Sequence, residues 1–588
     1  MPPLSQSLVA AALAALLVLT ACGAGDTGPD DGPQQSPGAE SGPEDYDAEA
    51  ERRQQEQQRL QEMAEEYDVA LAGPAAEHVS EAEAQVRDMP LAQQAGQVLI
   101  GEYQGADAES AAALIEELHL AGVILMGHNI PGGADAVDTA ALAEQISTIS
   151  AADSAAEAPD QVLPPIVSVD QEGGLVTRVG SPLTEWPTPM AYGAAASADA
   201  EEGAQLARSG HRGLAEELHE LGFTVSFAPT ADVTVGAADP TIGSRSFGSD
   251  EQTVAELAQE GVRGLAEGGL AGSIKHFPGH GSVADDSHYT LPLQESSIEE
   301  LRSRDWVPFA ETIEAGVPMV MMGHIEVPAL EAGVPSSLSP TAYAEIRRMG
   351  HDGVIVTDAM NMAAVADRYG GDQAAVGALA AGADLLLMPS SAHGAQQAIR
   401  DAVDSGQLPA ERLSEAAVRV IALKLWHQDL ASGELAAGPG SDVPEDLAAE
   451  IGRLDAAGAA TAEQTAAAAV TLVQGRCEAV VVEDAIQVAG GTEQDRARLT
   501  AAAERAGVQT GWGPTVTLLG GSAPGSGDVV VALDRPEALA DSAAETKIGL
   551  YGRTPESFDA LLQVLTGSAA AGALPVAVGD EGIGHTAC

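Results

Sequence analysis

Short apolar runs alternate with longer helical patterns from about residue 88 to about residue 430. The stretches between the runs, such as 200–221 and 250–270, are rich in Ala, Glu and Leu. Continuous apolar strands separated by helices indicate a parallel sheet that is covered on both faces. Seven such units favour a closed TIM-like (β/α) barrel over an open sheet. The runs are 122–126, 165–169, 223–227, 272–274, 317–322, 353–356 and 383–388.

A second group of apolar runs follows a segment of different composition. Residues 431–455 are rich in Gly, Pro and acidic residues, which predicts a linker. The later runs predict a smaller α/β sandwich domain, so we expect a barrel at 86–430, a linker at 431–455 and a second domain at 456–588. These later runs are 469–473, 479–482, 515–519, 529–532 and 548–551.

The N-terminal segment is typical of an export signal. Residues 8–21 form an uncharged apolar run that ends in Leu19-Thr20-Ala21-Cys22, although no basic residue precedes it. The ending resembles a bacterial lipobox, which implies a lipoprotein signal peptide at 1–21 and a lipid on Cys22. Residues 22–85, acidic and mostly polar, predict a flexible tether. We therefore expect an extracytoplasmic protein that is lipid-anchored to the cell membrane, or a secreted one.

Charge and cysteine content exclude several classes of protein. The 588 residues carry 27 basic and 88 acidic side chains, a net charge of −61, which makes nucleic acid a poor partner. Three cysteines are too few for a disulfide-dense scaffold or an all-cysteine zinc site. With Cys22 used for a lipid, Cys477 and Cys588 can pair outside the cytoplasm.

Polar residues directly follow several of the predicted barrel strands. The carboxyl ends of parallel barrel strands converge on one face, so these residues are expected to line one pocket. The segments are Asp170-Gln-Glu-Gly-Gly174, Lys275-His-Phe-Pro-Gly-His-Gly281 with Asp286-Ser-His288, His324, and Thr357-Asp358.

Together these segments resemble glycoside hydrolase family 3, in its β-N-acetylglucosaminidase branch, over about residues 88–428. The string 275–281 followed by Asp286-Ser287-His288 is the most specific match. Gly243-Ser-Arg-Ser-Phe247 and Val356-Thr-Asp-Ala-Met360 add to it. Leu175 departs from the pattern, because many family members carry arginine after the paired glycines.

The resemblance assigns catalytic roles to three residues. Asp358 is implied to be the nucleophile of a retaining reaction, and His288 the acid/base with Asp286 as its partner. Imidazole titrates near neutrality, so it can give a proton and then take one back. A carboxylate beside it fixes the tautomer and stabilises the protonated ring. Residues two apart point to the same side of an extended chain, so Asp286 can reach His288.

The resemblance also implies a set of sugar-binding residues, and no metal or organic cofactor. Arginine offers a fork of donors, and aspartate accepts from paired hydroxyls. His280 is expected to brace the loop, whereas His324 either lines the pocket or lies hydrogen-bonded in the barrel. The residues implied to hold the sugar hydroxyls and the N-acetyl group are Asp170, Arg245, Lys275 and His276.

The implied function is removal of terminal β-linked N-acetylglucosamine from cell-wall (peptidoglycan-derived) saccharides by an exo-acting, monomeric enzyme. Three alternatives stay open. They are a β-glucosidase of the same family, a metal-dependent barrel hydrolase that uses His276, His280, Asp286 and His288, and a non-catalytic sugar-binding lipoprotein. Pro278 and Gly279 oppose the metal reading because they break any helical spacing of His276 and His280.

Overall fold

The structure is a computed structural model that describes residues 73–152, 163–432, 447–521 and 525–588. The predicted signal segment 1–21, Cys22 and most of the predicted tether lie outside these ranges. Within them, no helix is both long enough and apolar enough to cross a membrane.

Within the described residues, eight parallel strands form the first sheet, and this confirms the predicted TIM-like barrel. Their order is β7-β6-β5-β4-β3-β2-β1-β8, and a parallel bridge from Val356 to Leu385 brings the two ends of this order together. Buried Ile124, Met321 and Val356 pack in one interior cluster with Trp426. The strands are β1 (Leu99–Gly101), β2 (Gly122–Leu125), β3 (Ile166–Val169), β4 (Val225–Ser226), β5 (Ala271–Phe277), β6 (Met319–Met322), β7 (Val354–Thr357) and β8 (Leu386–Leu387).

Helices cover the outside of the barrel, and several are preceded by an aspartate that caps the first turn. Asp107, Asp138, Asp199 and Asp250 each accept a hydrogen bond from a backbone N–H of the first turn, which stabilises the start of a helix. The helices are α1 (Ala76–Asp88), α2 (Leu91–Gly96), α3 (Ala108–Leu118), α4 (Thr139–Ser150), α5 (Pro189–Ala198), α6 (Ala200–Glu220), α7 (Glu251–Glu267), α8 (Ile298–Ser303), α9 (Val307–Glu314), α10 (Pro328–Glu331), α11 (Pro340–Arg348), α12 (Ala363–Tyr369), α13 (Gly371–Ala381), α14 (Ala392–Asp404) and α15 (Ala410–Ala431).

The second domain is a five-stranded sheet, within the described residues, with its own core. Its order is β10-β11-β12-β13-β9, and β9 alone runs antiparallel to its neighbour. Cys477 and Cys588 are joined by a disulfide, with their Cα atoms 4.9 Å apart. The elements are α16 (Leu447–Ala469), β9 (Thr471–Gln474), β10 (Ala485–Gly490), α17 (Glu493–Arg505), β11 (Gln509–Leu519), β12 (Val529–Ala532), β13 (Thr546–Gly549) and α18 (Pro555–Leu565).

The boundaries of the predicted tether and linker need correction. The tether at 22–85 runs into α1, where Ala82 and Val86 are buried one helical turn apart and His78 Nε2 lies 2.9 Å from Asp429 Oδ2. The linker at 431–455 overlaps α16, which already begins at residue 447. In both places the apolar stripe of the helix is narrow, so the polar composition of the segment favoured the prediction of a tether or linker over that of a helix.

One predicted strand of the second domain is wrong. Residues 479–482 form no strand, because the N–H groups of Val481 and Val482 both donate to the carbonyl of Leu565 at the end of α18, each at 2.9 Å. The strand lies instead at β10, directly afterwards. A four-residue apolar run does not by itself distinguish a strand from a buried loop.

Candidate active site

The carboxyl ends of the barrel strands surround a cavity of about 240 Å³. Six of the seven side chains predicted to act on substrate line it: Asp170, Arg245, Lys275, His276, His288 and Asp358. The seventh, Asp286, does not line the cavity but is hydrogen-bonded to His288, which does. The structure therefore brings residues of β5 and of the segments after β3, β4, β5 and β7 together in one pocket.

Asp358 follows β7 directly and is held there by backbone contacts. Its N–H donates to the Met322 carbonyl of β6 at 2.9 Å, and its Oδ1 accepts the Ala359 N–H at 2.7 Å. Burial acts to raise the pKa of this carboxyl group. The imidazoles of His276 and His324 outweigh burial, with help from Ala359 and Lys275, and lower the pKa of Asp358 to about 2. The carboxylate is therefore ionised at neutral pH, as a nucleophile requires.

Glu172 forms ion pairs with two of the cationic side chains that line the cavity. Arg245 grips both of its oxygens, at 2.9 and 2.8 Å, and Lys275 Nζ lies 2.6 Å from Oε1. Burial alone would raise the pKa of Glu172, but Arg245 and Lys275 hold it well below its usual range. Lys275 also donates to Asp170 Oδ1 at 3.2 Å. Arg245 and Lys275 thus reach the cavity already paired with a carboxylate that sequence reasoning had not singled out.

Asp232 is a second buried carboxylate that organises the site. Its Oδ2 lies 2.7 Å from His276 Nδ1, and its Oδ1 accepts the N–H of His280 at 2.6 Å. Burial opposes ionisation of Asp232, but His276 and His280 lower its pKa. Asp232 therefore orients the cavity-facing ring of His276 and holds the start of the loop after β5.

Asp286 and His288 meet as predicted, but in a turn rather than in an extended chain. His288 Nδ1 lies 2.8 Å from Asp286 Oδ1, and the His288 N–H donates to the same oxygen at 2.9 Å. The side-chain oxygen thus binds the backbone two residues on, which is the geometry of an Asx-turn. Burial opposes ionisation of Asp286, but these bonds lower its pKa. The His288 side chain lines the cavity and is 65% exposed, so its ring is open to a molecule bound there.

Ser287 ties this exposed pair to the protein interior. Its side chain is buried, and its Oγ lies 3.1 Å from Nε2 of buried His280. Burial lowers the pKa of His280, and His276 adds to this effect, so the ring is neutral and able to accept from a hydroxyl. We call the Ser287–His280 contact the latch. His280, which was expected to brace the loop, contacts the loop at this point.

Two further side chains of the site are His324, which is buried beside Asp358, and Arg178, which lines the cavity. His324 is fully buried, with Nδ1 2.7 Å from Ser337 Oγ and Nε2 3.0 Å from the Ala359 carbonyl, so it is a hydrogen-bonded barrel histidine beside Asp358. Arg178 lines the cavity, yet sequence reasoning missed it. Arg178 lies eight residues after Asp170 on the same loop, and this position could have indicated that it lines the same cavity.

Comparison with known proteins fits this geometry. Residues 86–423 match the glycosyl hydrolase family 3 N terminal domain. This chain belongs to glycoside hydrolase family 3. The family 3 match covers more than half of the chain and includes every cavity residue described above.

Relatives with assigned names are similar to this family 3 chain over a little more than half of its length. Beta-hexosaminidase LpqI of Mycobacterium tuberculosis is 34% identical over 337 residues, 54% of this chain and 79% of that protein. Beta-hexosaminidase A of Pseudoalteromonas piscicida is 31% identical over 335 residues, so the chain spans about half the length of that relative, 54%. The family 3 β-N-acetylglucosaminidase structure from Paenibacillus sp. is similar over both domains: it is 28% identical with a TM-score of 0.70, covering 84% of this chain and 99% of that one.

Proposed function

We propose that this protein is an exo-acting, retaining β-N-acetylhexosaminidase that removes terminal β-linked N-acetylglucosamine. One observation carries the proposal: Asp358 directly follows β7 and His288 lies on the loop after β5, yet both line the same cavity. An ionised carboxylate and a proton donor facing one sugar are what a retaining glycosidase requires. The names of the relatives, β-hexosaminidase and β-N-acetylglucosaminidase, support the choice of sugar.

In the first step Asp358 attacks the anomeric carbon while the bond to the leaving oxygen breaks. The protonated ring of His288 gives its Nε2 proton to that oxygen, so the leaving group departs as a neutral alcohol. A covalent bond between Asp358 and the sugar remains. Asp286, 2.8 Å from Nδ1, stabilises the charged ring before the proton is transferred.

In the second step the now neutral His288 takes a proton from water, and the water oxygen attacks the anomeric carbon. The bond to Asp358 breaks and the carboxylate is restored. Two inversions at the same carbon return the β configuration. The low pKa of Asp358 favours it as a leaving group in this step, since its charge is stabilised by His276 and His324.

Four residues are proposed to hold the sugar while these steps occur. Asp170, with a side chain 20% exposed, offers an acceptor to a pair of hydroxyl groups. Arg245, Lys275 and His276 bring donors, and the first two are held in place by Glu172. Binding energy from these contacts fixes the anomeric carbon against Asp358.

The proposed natural substrate is a cell-wall (peptidoglycan-derived) saccharide. The support is the apolar run at 8–21 and the lipobox-like Leu19-Thr20-Ala21-Cys22, which would place the enzyme outside the cytoplasm on a lipid anchor. Neither segment lies within the described residues. The net charge of −61 gives no reason to expect an anionic macromolecule as partner.

The proposal is tested by the stereochemistry and identity of the first product. We expect proton NMR to show β-N-acetylglucosamine before mutarotation, released from chain ends only. Appearance of the α-anomer first would contradict retention. Faster turnover of β-glucosides would favour the β-glucosidase alternative. Loss of activity in EDTA would favour the metal-dependent hydrolase. Absence of turnover by the wild-type protein would favour the non-catalytic sugar-binding protein.

A further inference from the structure

The second domain holds the barrel loop that carries Glu172. This loop follows β3, and Thr188 is its last residue before α5. The N–H and the Oγ1 of Thr188 both donate to the carbonyl of Tyr551, which follows β13 in the second domain, at 3.1 and 2.7 Å. Thr188 is buried, so this contact is part of the packed interface between the two domains.

The second domain also holds the barrel loop that carries Arg245. Ser249, near the end of this loop, donates its N–H to the carbonyl of Pro575 at 3.0 Å. Arg245 lies shortly before Ser249, at the end of the 3-10 turn Gly243–Arg245. The two loops that form the Arg245–Glu172 pair are therefore both bonded to the second domain.

Arg535 of the second domain contacts the turn Gly243–Arg245 from outside the cavity. It follows β12 closely, and its Nη2 donates to the carbonyl of Gly236, on the same barrel loop, at 3.0 Å. Gly243 has a φ of 48°, and a Cβ placed on it would lie 3.3 Å from both Cδ and Nε of Arg535. The side chain of Arg535 thus packs against the backbone of the turn and binds the loop that leads into it.

Glu537 is a buried carboxylate that pairs with Arg535. Its Oε1 lies 3.7 Å from Arg535 Nη2, which is an ion pair longer than a hydrogen bond. The Glu537 side chain is 8% exposed, and neither of its oxygens has a hydrogen-bond partner among the described residues. Burial raises the pKa of Glu537, whereas Arg535 acts to lower it. The guanidinium of Arg535 is therefore held at the interface by a buried carboxylate as well as by Gly236.

The contact of Arg245 with Glu172 depends on where the turn places the Arg245 backbone. Arg245 donates to both Glu172 oxygens, at 2.9 and 2.8 Å, and such a two-bond pair needs one orientation of the guanidinium. Arg245 lines the cavity and Arg535 does not, so Arg535 can act on a bound sugar only through the loop that it contacts. A displacement of about 1 Å in a substrate-positioning group can cost about a hundredfold in rate.

We propose that Arg535 is a positioning residue for the terminal sugar, because it fixes the turn 243–245 and, through this turn, Arg245. The inference rests on the proposed function above, in which Arg245 donates to the sugar. Every described residue that lines the cavity belongs to the barrel. The affinity for N-acetylglucosamine nevertheless depends on this contact between the two domains.

The test measures the inhibition constant of free N-acetylglucosamine together with kcat and KM. For Arg535→Ala we expect the inhibition constant to rise about three- to tenfold, because the turn loses a charged hydrogen bond and its packing partner. KM should rise by the same factor on methyl and 2,4-dinitrophenyl β-N-acetylglucosaminides, which share the terminal sugar, while kcat stays within about twofold of wild type. Arg535→Lys keeps a cation and a donor for Gly236 and should restore the inhibition constant to within about twofold.

The matched control is Arg505→Ala, which removes an arginine paired with Asp559 on the surface of the same domain, at 2.7 Å, and should leave the inhibition constant unchanged. Arg535→Met keeps the apolar stem against Gly243 and should show the same rise as Arg535→Ala; it provides the measurement if the alanine variant does not fold. An unchanged inhibition constant in a folded Arg535→Ala or Arg535→Met protein overturns the inference.

A double-mutant cycle shows whether Arg535 acts through Arg245. In an Arg245→Lys background, Arg535→Ala should raise the inhibition constant by less than about twofold, because the group that it positions is already gone. Fully additive effects overturn the inference, and so does a fall in kcat with an unchanged KM. Failure of the wild-type protein to hydrolyse either glycoside overturns the proposed function itself.

Discussion

Removal of the latch, the Ser287–His280 contact, should slow proton transfer by His288 and leave the attack of Asp358 nearly unchanged. Ser287→Ala deletes the hydroxyl that lies 3.1 Å from Nε2 of buried His280 and leaves that nitrogen without this partner. An unsatisfied buried polar group costs about 1–3 kcal/mol, and part of that cost is relieved when the loop moves away. We take about 1–2 kcal/mol as the energy that holds His288 over the cavity. At 1.36 kcal/mol per factor of ten, this is about a five- to thirtyfold loss in kcat/KM.

The assay compares leaving groups that differ in their need for a proton. Methyl β-N-acetylglucosaminide depends on His288 as an acid and should show the full loss. The 2,4-dinitrophenyl glycoside departs without protonation, so its kcat/KM should stay within about twofold of wild type. Ser303→Ala is the control, because Ser303 is exposed at the end of α8 and its hydroxyl bonds to the Glu300 carbonyl at 3.0 Å. An equal loss on both glycosides would refute the positioning role of the latch.

Further predictions follow from the charges of the site and from the N-terminal motif. Asp358→Asn should lower kcat by about 10⁴-fold or more, measured on the dinitrophenyl glycoside, because no other group can form the covalent bond. Glu172→Gln leaves Arg245 and Lys275 partly uncompensated and should cost about 3–5 kcal/mol in urea unfolding. The pKa of Asp358 in the folded protein, about 2, lies below its ordinary value of 3.8, so its stabilising contribution is complete above pH 3.8 and lost as the pH falls towards 2; unfolding at pH 6 and pH 3 checks this, with a smaller decrease in Asp358→Asn. Cys22→Ala should abolish incorporation of labelled fatty acid.

The barrel could be predicted because its strands are continuous apolar runs between helices, a pattern that needs no knowledge of distant contacts. β1 escaped notice because Leu99–Gly101 is only three residues long. The predicted strand at 479–482 failed for the same reason: so short a run carries too little information to identify its environment.

The candidate site was predictable where a residue directly follows a strand or lies within a compact motif. Asp358 and the pair Asp286–His288 are of this kind. The pairings of the carboxylates that organise the site were not predictable, although Glu172 lies within the predicted segment 170–174. Glu172 pairs with Arg245 across 73 positions, and Asp232 with His276 across 44. Such partners become visible only when the closed barrel brings them together.

The central claim is that Asp358 forms a covalent bond to the terminal sugar while His288 acts as the acid/base at the same bond. Its most direct test is to trap the intermediate with a fluorinated N-acetylglucosaminyl inactivator and to map the labelled peptide by mass spectrometry. The account predicts one sugar per chain on Asp358, with the label lost slowly to water. A label on any other residue, or full inactivation of Asp358→Asn by the same reagent, would contradict it.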